Sequence, residues 1–140
     1  MNESGLIRDL LSSTRTIAVF GYSVRPDRPS NSVSRTLRAY GYRVIPVNPA
    51  LRGDIVEGER SYERLADIPN DANVGFVDVF RRGEYLDAVV DDAIAAGMKA
   101  MWFQLDLGNV AAAERAEVAG IRVVWDRCTA IELRHLGRSR

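Results

Sequence analysis

Short runs of β-branched and aromatic residues alternate along the chain with longer stretches whose apolar positions recur every three or four residues. Thr16–Phe20 is an unbroken apolar run ahead of Gly21, the pattern of a buried strand. Residues 32–40 follow a polar loop containing Pro26 and Pro29. They place Val33, Leu37 and Tyr40 on one helical face, and Gly41 ends that helix. Residues 42–47 read as a second strand closed by Asn48 and Pro49. The stretch that follows is irregular: turns at 52–54 and 57–59, a short helix over 62–65, another turn at 69–71. Residues 74–80 form a third strand. Residues 83–96 form a helix with Leu86, Val89, Val90, Ala93 and Ile94 inward, stopped by Gly97. A fourth strand over 100–104, an Ala-rich helix over 109–119 and a fifth strand over 121–125 complete the pattern. Terminal helices are expected over 4–13 and 130–136.

Strands that are apolar on both faces and separated by helices belong to a parallel sheet covered on both sides. The fold class is therefore α/β: a Rossmann-like, doubly wound sheet of five parallel strands, with helices on both faces. Right-handed crossovers that change direction once predict the strand order 3-2-1-4-5. With 140 residues the chain has room for a single domain, its core spanning about 14–136. No repeat, low-complexity segment or linker interrupts it.

Charge narrows the partners. Nineteen basic and nineteen acidic residues give a net charge of zero. That argues against general nucleic-acid or anionic-membrane binding, which needs surplus positive charge. The balance is uneven, however. Residues 1–52 carry eight arginines against three acids, net +5, while residues 54–92 are net −7. One cysteine, Cys128, allows no internal disulfide. The single histidine, His135, offers no zinc-ligand spacing. The first residues lack the pattern of a secretory leader, and no apolar run reaches transmembrane length, so a cytoplasmic location is expected.

Candidate chemistry collects in the loops after the strands, where ligands bind in open α/β sheets. Gly21 lets the chain turn and approach a ligand closely. Ser30, Asn31 and Ser32 stand at the predicted helix start, where free N–H groups and the helix dipole attract an anion. Arg25 and Arg28 add cations. The loop departs from the dinucleotide fingerprint G-x-G-x-x-G, because Ser23 and Pro26 replace its later glycines. No acid follows the second strand to hold a ribose; Asn48 and Pro49 stand there, with Arg52 beyond. Both departures argue against NAD. Gln104, at the end of an apolar strand, needs a partner for its amide, either backbone or ligand. Cys128 and His135 are the sole candidates for a thiol nucleophile and its base.

Taken together, Gly21-Tyr22-Ser23, Pro26 to Ser30, Val44 to Pro49, Asp78 to Arg81, Trp102 to Gln104 and Asp126 to Cys128 resemble the family of small stand-alone bacterial CoA-binding proteins, the YccU-like group. That family is similar to the N-terminal domain of the succinyl-CoA synthetase alpha subunit. The resemblance covers about residues 14–136. It implies a Rossmann fold that binds coenzyme A or an acyl-CoA as a small-molecule ligand. By position, Ser23, Val24, Arg25 and Ser30 would lie nearest the pyrophosphate. Asn48, Pro49 and Arg52 would lie by the adenosine and its 3′-phosphate. Phe80, Arg81, Gln104 and Leu105 would border the adenine or pantetheine. The synthetase's second domain and its phosphorylated histidine have no counterpart, so the resemblance carries binding and not catalysis. Two other classes stay open. One is an NAD(P)-linked oxidoreductase or CoA-dependent transferase using Cys128. The other is an interaction subunit docking through the acidic 54–92 segment. A homo-oligomer or a protein partner is compatible with all three.

Overall fold

Ile17, Ala18 and Val19 have no solvent exposure, so the first apolar run is covered on both sides. The computed structural model describes residues 4–105, 107 and 109–137. Residues 1–3, part of the segment read for a secretory leader, and Gly108, the end of the loop expected after the fourth strand, lie outside them. The elements in chain order are α1 (Ser4–Ser13), β1 (Thr16–Phe20), α2 (Pro29–Ala39), β2 (Arg43–Val47), β3 (Ile55–Val56), β4 (Glu59–Arg60), β5 (Val74–Val79), α3 (Leu86–Ala95), β6 (Ala100–Phe103), α4 (Val110–Val118), β7 (Arg122–Trp125) and α5 (Thr129–Leu136). All five expected sheet strands are present. The α2 helix starts three residues earlier than its apolar spacing indicated, because Pro29 suits the first helical position. The short helix expected over 62–65 instead falls at Leu65–Asp67. Tyr62 is occupied elsewhere: its N–H donates to Pro46 O at 3.0 Å and its carbonyl accepts from Asn48 N–H at 2.9 Å, which covers the outer edge of β2.

The five long strands form one parallel sheet, the α/β Rossmann-like architecture expected. Their order is β2-β1-β5-β6-β7. Counted along the chain, the third long strand therefore sits beside the first, not outside the second, which corrects the order 3-2-1-4-5. The cause is the face taken by the 48–73 connection. The α2 helix packs with α1 and α5 on one face, around Leu10, Leu37, Trp102 and Leu133. Leu65, Ile68 and Ala72 of the connection pack on the other face, with Val89 of α3 and Ala116 of α4. A right-handed crossover on the opposite face must travel the opposite way across the sheet. It carries the chain from β2 back across β1, so that β5 lies on the far side of β1.

At the start of β5 the register slips. Thr16 stands opposite Val74 and Ile17 opposite Phe76, leaving Gly75 as the extra residue. A Cβ on Gly75 would run into the Thr14 side chain.

Candidate functional site

The observed order moves the reversal of the sheet to the gap between β1 and β5, so the crevice lies outside the carboxyl ends of those two strands. Its floor is backbone. Gly21 has φ +85°, and a Cβ there would lie 3.2 Å from Phe80 O and 3.3 Å from Phe80 C. Only glycine accepts both that dihedral and that approach.

The loop after β1 is tied down from three sides. Gly21 N–H donates to Val47 O at 2.9 Å. Asn48 Nδ2 donates to Tyr22 O at 2.9 Å. Ser23 N–H donates to Ser30 Oγ at 3.0 Å, and Asn31 Nδ2 donates to Ser23 O at 3.0 Å. These bonds commit the Ser30 hydroxyl and the Asn31 amide to the loop. Arg28 occupies the cap position of α2 and no side chain caps it. Ser32 turns its hydroxyl back to Pro29 O at 3.2 Å. The positive end of the α2 dipole is thus left without a side-chain oxygen, open to an external anion.

A cavity of about 430 Å³ opens over this floor. From the β1–α2 loop it is lined by Gly21, Ser23, Arg25, Arg28, Pro29 and Ser30, and from the end of β2 by Asn48. Across the crevice stand Phe80, Arg81, Arg82 and Tyr85, with Leu107 from the loop after β6. Eight expected residues thus come together: Gly21, Ser23, Arg25, Arg28, Ser30, Asn48, Phe80 and Arg81. Pro29, Arg82, Tyr85 and Leu107 were missed. Arg82 was legible, as the second of two cations after an apolar strand. Tyr85 was not, since it reads as the first turn of a helix.

Four arginines line the cavity, and among its described lining residues there is no acid. Arg25 is paired with Asp27 at 3.1 Å, both side chains largely exposed. The Arg81 guanidinium lies over the Tyr85 ring, 5.2 Å from its centroid.

The other expected residues sit elsewhere. Tyr22 is buried, its ring under Arg38 and its hydroxyl accepting from Arg38 Nη2 at 3.1 Å. Asn31 is buried in α2, bridging Ser23 O and Arg35. Val24, Ser32, Pro49 and Leu105 are exposed outside the cavity lining. Arg52 adopts a left-handed conformation, φ 51°, at the end of the 49–51 turn. It lines a separate cavity of about 480 Å³ with Arg60, Glu63 and Asp67.

Gln104 finds its partners inside the protein. Its Nε2 donates to Asp78 Oδ1 and, at 3.1 Å, to Thr129 Oγ1; the threonine hydroxyl donates to Asp78 Oδ2 at 2.9 Å. All three residues are buried. Burial pushes the Asp78 carboxyl up to about 7, against the lowering effect of the Gln104 and Thr129 hydrogen bonds.

Cys128 stands just before α5 and His135 in its last turn, so helical rise separates the pair by roughly 10 Å. The acids of 54–92 are largely engaged. Glu59 pairs with Arg43 at 2.8 Å, Asp91 with Arg115 at 2.8 Å, and Asp92 accepts from Leu65 N–H at 2.7 Å and Ala66 N–H at 3.2 Å. Among the described residues no group of three His, Cys, Asp or Glu could hold a metal, and no helix is long and apolar enough to cross a membrane.

Known proteins resemble this chain in sequence and fold. YneT of Bacillus subtilis, an uncharacterized protein, is 34% identical over 122 residues, 87% of each chain. A solved structure from Thermus thermophilus is 37% identical, with a TM-score of 0.88 over 97% of this chain and 99% of that one. Acetyl-coenzyme A synthetase 1 of Ca. Korarchaeum cryptofilum is 26% identical over 77% of this chain, with a TM-score of 0.65; the match spans 25% of that longer protein. The model of the CoA binding domain family matches residues 15–134, from the start of β1 almost to the end of α5. With its sheet, its glycine-floored crevice and its arginine lining all inside that span, the chain belongs to the CoA binding domain family.

Proposed function

We propose that this chain binds coenzyme A or an acyl-CoA in the β1–β5 crevice, as a binding module that performs no chemistry of its own. One observation carries the reading: an uncapped α2 N-terminus and four arginines face one cavity whose floor admits only glycine. An anion of several charges suits that wall, and the family supplies coenzyme A as the ligand class. Ser23, Pro29 and Ser30 at the α2 end would meet the pyrophosphate, with Arg25 and Arg28 beside them. Phe80, Tyr85 and Leu107 offer apolar surface to the adenine or the pantetheine arm. The same residues fit NAD less well, since none of the described lining residues is an acid that could hold a ribose diol. Separation of Cys128 from His135 favours binding over thiol catalysis.

Isothermal calorimetry with CoA tests the reading. Saturable binding is expected below high micromolar concentration. Arg28→Gln should weaken it about tenfold or more while leaving the thermal midpoint near wild type, as a lost charge-assisted contact at an exposed site would. A folded wild-type protein that takes up no CoA at that concentration overturns it.

A further inference from the structure

The crevice holds more positive charge than a pyrophosphate uses. Arg25 and Arg28 belong to the α2 side, where the helix dipole already favours an anion. Arg81 and Arg82 stand on the other wall, on the turn between β5 and α3. Among the described residues neither forms an ion pair with a carboxylate. Arg81 is held over the Tyr85 ring, which aims its guanidinium without neutralising it. Two unpaired cations on one wall repel each other unless something anionic is bound between them.

Coenzyme A supplies that anion. Besides its bridging phosphates it carries a terminal phosphate monoester on the ribose, with about 1.5 to 2 negative charges at neutral pH. Arg52, the cation that sequence position had assigned to this group, does not reach the crevice. It lines a different cavity with Arg60, Glu63 and Asp67.

We infer that the β5–α3 turn, through Arg81 and Arg82, reads the ribose phosphate that distinguishes CoA from dephospho-CoA. This rests on the binding reading above. Arg82 is the cleaner handle, since it is exposed and takes no part in the stack on Tyr85. Guanidinium suits a phosphate oxygen pair in forked geometry, so the contact should discriminate as well as attract.

Affinities of CoA and of dephospho-CoA are measured by calorimetry on wild type, Arg82→Gln and Arg52→Gln. Wild type should prefer CoA by about tenfold or more. Arg82→Gln should bring the two affinities close together by weakening CoA alone, with dephospho-CoA held within about twofold of wild type. Arg52→Gln should retain the preference. The inference is overturned if wild type binds both ligands equally, if Arg82→Gln weakens both alike, or if Arg52→Gln is the variant that erases the preference. In those three cases CoA still binds and the module reading survives. A wild type that binds neither ligand removes both.

Discussion

Asp78 sits in the central part of the sheet, completely buried, with Gln104 and Thr129 as its partners. Its carboxyl keeps its proton up to about pH 7 in the folded protein, because burial penalises the charge. In the unfolded chain the same group releases its proton near 3.9. Between those two values the native state binds more protons than the unfolded state, so stability falls as pH rises. The contribution is fully present below about pH 4 and exhausted above about pH 7. Asp78→Asn keeps the shape and removes the titration. Urea unfolding from pH 4 to 8 should show the wild type losing stability relative to the variant as pH rises, with the gap constant above 7. A gap that does not change with pH would mean that Asp78 is charged throughout. The same residue shows a limit of sequence reading. Gln104 was visible as an oddity at a strand end, but its partners lie 26 and 25 positions away, on β5 and α5. No local pattern names them.

At the scale of elements, periodicity located every long strand and helix, because each has one face or two faces to bury and its apolar spacing records that. The order of the strands was not legible. It depends on which face the irregular 48–73 segment chooses, and Leu65, Ile68 and Ala72 reveal that only once folded. The order matters for the site, because the reversal between β1 and β5 sets Arg81 and Arg82 at the crevice, while Gln104 stays outside the cavity lining. The helix start was placed three residues late because Val33 is the first apolar position on its face, and the turn opened by Pro29 carries no apolar spacing to mark it. The bulge at Gly75 is a second tertiary feature hidden in one residue. Gly75→Ala should destabilise the protein by about 1–3 kcal/mol through overpacking against Thr14. Combining it with Thr14→Ala should recover part of that loss, since two of the three nearest clashing atoms disappear. Equal denaturant midpoints for wild type and Gly75→Ala would contradict the contact.

On the scale of the whole molecule, neutrality conceals a division of labour. The first 52 residues, net +5, include the β1–α2 loop, and two further arginines of the crevice come from the otherwise acidic 54–92 segment. Many acids of that segment are spent on Arg43, Arg64, Arg115 and the Leu65 and Ala66 amides, so they do not shadow the cavity. Binding of a polyanion there should respond to salt. Between about 0.01 M and about 0.15 M ionic strength the screening length falls from about 30 Å to about 8 Å. CoA affinity should drop several-fold across that range in calorimetry at fixed pH. An affinity indifferent to salt would assign the binding to apolar contacts instead.

The loop after β1, proposed to meet the phosphates, is fastened by Asn48, Ser30 and Asn31 in the protein alone. A segment with its backbone groups satisfied has few conformations left to surrender on binding. Encounter with such a surface is governed by diffusion and charge steering more than by a slow rearrangement. On the proposed function, selectivity among related anions would then be expressed in how long each one stays.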